Sequence, residues 1–381
     1  MGARLAIAAS VAVVALAGAG VRARAQEVTP QPSPQRPAFA DWLASVRADA
    51  LAAGLNPAIV GEALDGAERF EIVLERDRAQ PEFVLPLDRY LARRLDKATV
   101  RAARDRLAAN RSLLRRVADR YGVEPQVVTA VWGLESNFGR FAGVRPTISV
   151  LATLGYDSPR GTYFRRELLE ALRILDRGDI ELSKLRGSWA GALGQPQFMP
   201  SSYLLYAVDF DGDGRRDIWS SDADVFASIA NFLQQKGWRA GQRWGREVEL
   251  PARAAAHIRK NVSLRREGCR AVRQLSDPLP LARWHQLGVR LPTGRPLPRA
   301  DIEASLVDGG SRTFLVYRNY DALLAYNCAN SYALSVALLS DQLAGRATAS
   351  RKSSGTAAKP KSNTARGKTS APPKKTPAPS R

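Results

Sequence analysis

The chain has 381 residues, 45% hydrophobic and 25% charged, an ordinary globular composition long enough for one large domain or two to three small ones. Two cysteines and two histidines argue against a structural zinc centre or a histidine-rich catalytic metal site. The net charge of +20 is uneven, because residues 346–381 alone hold ten Lys/Arg and no acid.

The first 25 residues read as an export signal. Arg4 precedes the apolar run "LAIAASVAVVALAGAGV", and "ARA" at 23–25 has the small-x-small form of a cleavage site, so the mature chain is expected to start near Gln26. The run is short for a membrane anchor, and with no cysteine beside it no lipid anchor is expected. A soluble, periplasmic monomer is the expectation. Residues 26–38 form a Pro/Gln linker.

From 39 to 120 the pattern is helical. "DWLASVRADALAAGL" places Trp42, Leu43, Val46, Ala50 and Leu51 on one stripe, and Gly54 with Pro57 stops one helix and starts another. "KATVRAARDRLAANRSLLRRVADRY" is a second amphipathic stretch, ended by "GVEP", with Pro125 suited to the first turn of the next helix. Helical patterns recur at 163–176, at 224–236 with Gly237 as stop, and in "NSYALSVALLSDQLAG" near the end. Between 245 and 325, short alternating runs ("EVEL", "ASLVDGG", "RTFLVYRNY") predict a small strand-containing subdomain. The predicted class is mainly α (α+β). The tail at 346–381 has no apolar periodicity and cannot bury a core, so it is expected to be disordered. An anionic envelope polymer suits its charge, whereas an exported chain rarely meets nucleic acid. In an oxidising compartment Cys269 and Cys328 can pair; two free thiols are the alternative.

Four stretches carry chemistry. "DFDGDGRRDIWS" sets Asp209, Asp211, Asp213 and Gly214 at positions 1, 3, 5 and 6 of a calcium-loop template, with the Arg215 carbonyl at 7 and Asp217 at 9. Position 12 is Ser220, so the last ligand falls to Asp222 or Asp224. The site would be structural. "GSWAGALGQPQFMPSSY" interleaves Ser188, Gln195, Gln197 and Ser202 with Trp189, Phe198 and Tyr203, the neutral hydrogen-bonding groups and ring faces that a sugar needs. "YNCANSY" offers Tyr326, Asn327 and Tyr332 to a helix cap or a cleft. In "VWGLESNFGR", Glu135 follows an apolar helical run and precedes a glycine-terminated turn. Such a glutamate is ordinarily solvated, but burial beside Trp132 and Leu134 could keep it protonated as a glycosidase acid. Asp157 is the nearest downstream carboxylate, in an evident turn.

Together "QPEF", "YGVEPQVVTAVWGLESNFGR", "GALGQPQFMPSSYLLYAVDFDGDGRRDIW", "SIANFLQQKGW" and "YNCANSYALSVALLSDQL" resemble, in order, the lytic murein transglycosylases of the B type, from Phe39 to Gly345. The resemblance implies a catalytic region over 39–345. It comprises a helical subdomain (39–120), a lysozyme-like helical core (121–244 and 326–345) and an inserted β subdomain (245–325). It implies non-hydrolytic cleavage of the MurNAc-β-1,4-GlcNAc bond of peptidoglycan, leaving 1,6-anhydromuramoyl ends. No catalytic cofactor is required, and Ca2+ would be a structural ion. Glu135 matches the sole catalytic carboxylate. Ser188 and Gln197 resemble groups that hold the substrate acetamido and the glutamate; Tyr326, Asn327 and Tyr332 resemble cleft residues. Gln80, Tyr90 and Arg160 resemble more distant glycan or peptide contacts, and Phe232 stands where some relatives carry tyrosine. "PRGTYF" keeps one arginine where some members have two. A hydrolytic muramidase and a non-catalytic, calcium-stabilised glycan-binding protein are the competing readings.

Overall fold

The computed structural model describes residues 37–79, 86–309 and 311–345. The export signal, most of the linker, Gln80 with the "QPEF" motif, and the basic tail lie outside them.

Five helices come first in the chain: α1 (Phe39–Ala52), α2 (Pro57–Asp65), α3 (Glu71–Ala79), α4 (Leu87–Arg94) and α5 (Lys97–Ala109). Asn56 and Asp96 cap α2 and α5, each accepting a backbone N–H of the first turn with its side chain. The predicted apolar stripe of α1 is narrower than expected: Val46 and Ala50 are buried, but Leu51 faces solvent. The stretch after Lys97 is two helices, because Asn110 breaks it before α6 (Arg111–Tyr121); the Asn110 amide donates to the Arg106 carbonyl and competes with helix continuation.

The centre consists of α7 (Pro125–Ser136), α8 (Thr147–Asp157), α9 (Gly161–Asp176), α10 (Pro200–Tyr206) and α11 (Asp222–Gln235), with the short strands β1 (Arg145–Pro146) and β2 (Arg186–Gly187) paired antiparallel. Pro125 occupies the first turn of α7. Most residues of α7 and α8 are buried, so these two helices form the middle of the molecule.

The last segment carries β3 (Gly245–Val248), α12 (Ala252–Asn261), β4 (Leu279–Pro280), α13 (Leu281–Gln286), β5 (Glu303–Asp308), β6 (Thr313–Val316), α14 (Arg318–Tyr326) and α15 (Asn330–Leu343). Its four-stranded sheet runs β3-β6-β5-β4, every neighbour antiparallel, with Gly245 opposite Val316 and Ser305 opposite Val316 on the other side. This sheet has its own apolar core around Trp284, whose Nε1 donates to the Ala304 carbonyl (2.7 Å), and that core extends to Tyr317. Helix α14 packs instead into the main core, which runs unbroken from Val46 to Leu339. The N-terminal helices and the central helices thus share one core.

The small sheet is fastened to the turn between α14 and α15. Cys269 and Cys328 are joined by a disulfide with Cα atoms 6.3 Å apart. Asn330 donates to the Ala271 carbonyl (3.2 Å), and Arg265 bridges Asp321 (2.7 Å) to the Ser305 hydroxyl. Among the described residues no single helix is long and apolar enough to cross a membrane.

Candidate active site

Glu135 lies in the last turn of α7, half-buried, with Trp132 one turn below it. The helix ends because Asn137, Phe138 and Gly139 all adopt positive φ (51°, 58° and 81°), a costly run for two non-glycine residues. That reversal tucks Phe138 back under α7, where its ring meets Trp132 edge-on (5.4 Å). Gly133 leaves the space: a Cβ there would come 2.5 Å from the Phe138 ring.

Two tyrosines face Glu135. Tyr332 of α15 is 3% exposed; its hydroxyl is buried without a partner in regular hydrogen-bonding geometry, and the Glu135 carboxylate is the acceptor beside it. Tyr326, near the end of α14, stacks on Tyr332 (centroids 6.4 Å apart, planes 18°) and donates its hydroxyl to the Pro196 carbonyl (2.7 Å). Burial, then the negative charge of Glu135, drives both hydroxyls well above the usual phenol pKa. Both therefore remain protonated, and Tyr332 can donate to the carboxylate.

The segment 187–199 wraps the end of α7. Ser188 is half-buried and its oxygen accepts the N–H groups of Ala190 (3.3 Å) and Ala192 (3.1 Å), which leaves its proton to donate outward. Gln197 adopts a positive φ of 56° and donates Nε2 to the Gly194 carbonyl (2.7 Å). Gln195, placed by the sequence among sugar-binding groups, is instead a 7%-exposed strut. Its Oε1 accepts from Trp132 Nε1 (2.6 Å) and its Nε2 donates to the Trp219 carbonyl (2.9 Å).

The remaining expected contacts divide. Asn327 is exposed at the turn between α14 and α15, beside the tyrosines. Phe232 is 5% exposed and packs against Tyr326 (4.7 Å), Tyr206 (4.7 Å) and Phe198 (5.6 Å), so it buttresses the tyrosine wall from behind. Tyr90 is half-buried on α4, one turn before Arg94. Arg160 pairs with Asp77 and lies over the Phe164 ring (5.0 Å), so its guanidinium is already engaged. Asp157 pairs with Arg69 (2.6 Å).

Arg94 is a site residue that the sequence did not single out. Its Nη2 donates to the carbonyl of Leu134 (2.6 Å), one of the orphan carbonyls at the end of α7, and its buried Nε has no partner. Its charge also reaches the Tyr332 hydroxyl. Within "YLARRLDK" nothing distinguishes it from the exposed Arg93; only the docking of α4 on α15 brings it here.

The acidic loop lies between α10 and α11. Carboxylate oxygens of Asp209, Asp211 and Asp213 lie within 4.8 Å of one another. Asp209 is oriented by the N–H groups of Gly212 (2.7 Å) and Gly214 (2.9 Å), and Asp211 by the Ser221 hydroxyl (2.6 Å). Three converging hard oxygens suit Ca2+, and the Arg215 carbonyl follows in the loop. Asp217 and Asp224 stand outside that cluster because their oxygens are spent on the backbone. Asp217 accepts from the N–H groups of Trp219 and Ser220 (2.9 Å each) and from the Ser220 hydroxyl. Asp224, wholly buried, accepts from Phe210 N–H (2.7 Å) and Asp217 N–H (2.8 Å), closing the loop from beneath. Burial pushes its carboxyl up to about 6. Burial also opposes ionisation of Asp217, but the Ser220 and Trp219 hydrogen bonds outweigh it and hold that carboxyl below its usual range.

Comparison with known proteins places this arrangement. Residues 38–341 match the transglycosylase SLT domain family. The membrane-bound lytic murein transglycosylase B of Escherichia coli (strain K12) is 40% identical over 124 residues, 32% of this chain and 34% of that protein, so the match spans about a third of that relative. SltB3 of Pseudomonas aeruginosa, solved in complex with NAG-anhNAM-pentapeptide, is 41% identical with a TM-score of 0.72, over 81% of this chain and 80% of that one. The Escherichia coli lytic transglycosylase SLT35, solved in complex with calcium, is 26% identical with a TM-score of 0.65, over 82% and 94% of the two chains. The chain belongs to the transglycosylase SLT domain family, among the lytic murein transglycosylases of the B type.

Proposed function

We propose that this protein cleaves the MurNAc-β-1,4-GlcNAc bond of peptidoglycan without water, leaving a 1,6-anhydromuramoyl end. The observation that carries the reading is the half-buried Glu135 at the end of α7, faced by the protonated hydroxyl of Tyr332 and bordered by the Ser188–Gln197 segment. Peptide-bearing NAG-NAM ligands in SltB3 support the substrate class.

Glu135, protonated, gives its proton to the glycosidic oxygen as the bond to C1 breaks. The substrate's own acetamido oxygen stabilises C1 meanwhile. The carboxylate then takes the proton of the muramoyl 6-hydroxyl, whose oxygen closes on C1, and Glu135 is protonated again. One carboxyl performs both transfers, so no second carboxylate is needed. Ser188, with its free donor, and Gln197 would hold the acetamido group; Asn327, Tyr326 and Tyr90 would line the strand's path. Arg160, Phe232 and Gln80 belong to the same proposal, with Phe232 acting through Tyr326.

Ca2+ would bind to Asp209, Asp211, Asp213 and the Arg215 carbonyl, with Asp217 and Asp224 shaping the loop. It would supply positive charge that offsets the repulsion of three close carboxylates. The chain would act as an exported, periplasmic monomer, its basic tail held by an anionic envelope polymer.

Mass spectrometry of muropeptides released from purified sacculi tests the reaction. Products one water lighter than hydrolytic ones, with no reducible end, are expected, and Glu135→Gln should release none. Reducible ends would mean a hydrolase. Binding without release would mean a glycan-binding module.

A further inference from the structure

Phe141 and Val144 are 65% and 75% exposed, among the described residues the most exposed pair of large apolar side chains close together in sequence. They are held firmly. Phe141 N–H donates to the carbonyl of Ser136 (2.9 Å), the neighbour of Glu135, while Gly139 N–H donates to the Ser136 hydroxyl (3.0 Å). Val144 N–H donates to the carbonyl of Gly187 (3.0 Å), the neighbour of Ser188, and Arg186 donates to the Val144 carbonyl (3.0 Å). At Gly143, φ is 111° and a Cβ would fall 2.4 Å from the Gly187 backbone, so the two segments touch with no room for a side chain. An aromatic ring fixed in water by its own backbone costs solvation that a bound partner would recover.

We infer that residues 140–145 form a sugar platform, on which Phe141 and Val144 receive the apolar face of a pyranose ring from the glycan strand seated between Glu135 and Ser188. The inference rests on the proposed reading of that site and extends it by one subsite. The occupant follows from position and charge. The platform joins the residue next to Glu135 to the residue next to Ser188, so a strand lying across both passes over it. Arg140 and Arg145 belong to it, Arg186 donates to its Val144 carbonyl, and none of the three forms an ion pair among the described residues. Such a rim suits a strand whose stem peptides bring carboxylates better than a purely apolar partner.

The test uses the full-length chain. Phe141→Ala should raise KM on sacculi about tenfold, with kcat changed less than about twofold and an unchanged melting temperature. In a Glu135→Gln background, the same change should weaken binding of a GlcNAc–MurNAc tetrasaccharide about tenfold by calorimetry, and Phe141→Trp should restore it. Unchanged KM and Kd in Phe141→Ala would overturn the platform. So would a loss matched by a lower melting temperature and not restored by tryptophan. If the parent protein released no anhydro products, the reading of the reaction would fail first, and tetrasaccharide binding would still judge the platform.

Discussion

The hydroxyl of Tyr326 donates to the carbonyl of Pro196 across 2.7 Å, joining two residues 130 positions apart. This bond pins the polar segment 187–199 to the aromatic wall of α14 and α15. Glu135, the segment 187–199 and the tyrosines thereby become one surface rather than three loops.

Removing that hydroxyl should loosen the surface without emptying it. Tyr326→Phe leaves a buried carbonyl unpaired, a cost of about 1–3 kcal/mol. A melting temperature lower by a few degrees and a kcat several-fold lower are expected, with the fold intact by circular dichroism. Wild-type melting and turnover would mean that Pro196 needs no tether.

Gln195 offers a sharper case. Gln195→Leu orphans both Trp132 Nε1 and the Trp219 carbonyl, so a loss of about 2–5 kcal/mol in stability is expected. Trp132 emission should also shift to the blue as its indole N–H loses its acceptor to an apolar side chain. A variant with native stability and native fluorescence would rule out the strut.

Arg94→Met removes the donor to Leu134 and the positive charge near Tyr332. A fall in kcat of about tenfold is expected, because the end of α7 loses its fixed position. Arg94→Lys keeps the charge but not the planar fork, and should recover part of the rate. If Met and Lys behave alike, the charge plays no part.

Chelation should lower the melting temperature. At Ca2+ one hundred times its Kd, binding only to the folded state stabilises it by about 2.7 kcal/mol. Asp213→Asn should shrink that increment. A melting curve indifferent to chelator would exclude a structural ion at Asp209, Asp211 and Asp213.

The buried Asp224 gives a pH signature in chelator. Its carboxyl titrates near about 6 in the fold against an ordinary 3.8. Its contribution to stability is therefore complete below about pH 4 and is lost as pH rises through 6. The melting temperature of Asp224→Asn minus that of the parent should increase with pH over this interval. A flat difference would show that burial does not govern this group.

Much of this was legible locally. Pro125, Gly237 and the alternating run that became β5 marked element boundaries, because caps and strand alternation act within a few residues. Helix α8 escaped notice. All residues from Thr147 to Gly155 are buried, so no polar face supplied a period. Arg94 and Phe141 were likewise hidden, since an arginine among arginines and a phenylalanine in a turn acquire meaning only from what surrounds them. Gln195 looked like a sugar ligand because composition cannot tell a strut from a binding group.

Spacing, capping and residue type were enough for the helical class and the acidic loop, whereas Glu135 stood out only through the resemblance of the ordered motifs to the B-type family. Tertiary structure decided which side chains share the end of α7. It brought Arg94, Tyr332 and Tyr326 there from helices far apart in the chain, withdrew Gln195 and Phe232 into support, and left Phe141 in solvent. Packing of a common core makes those choices, and no window of the sequence contains it.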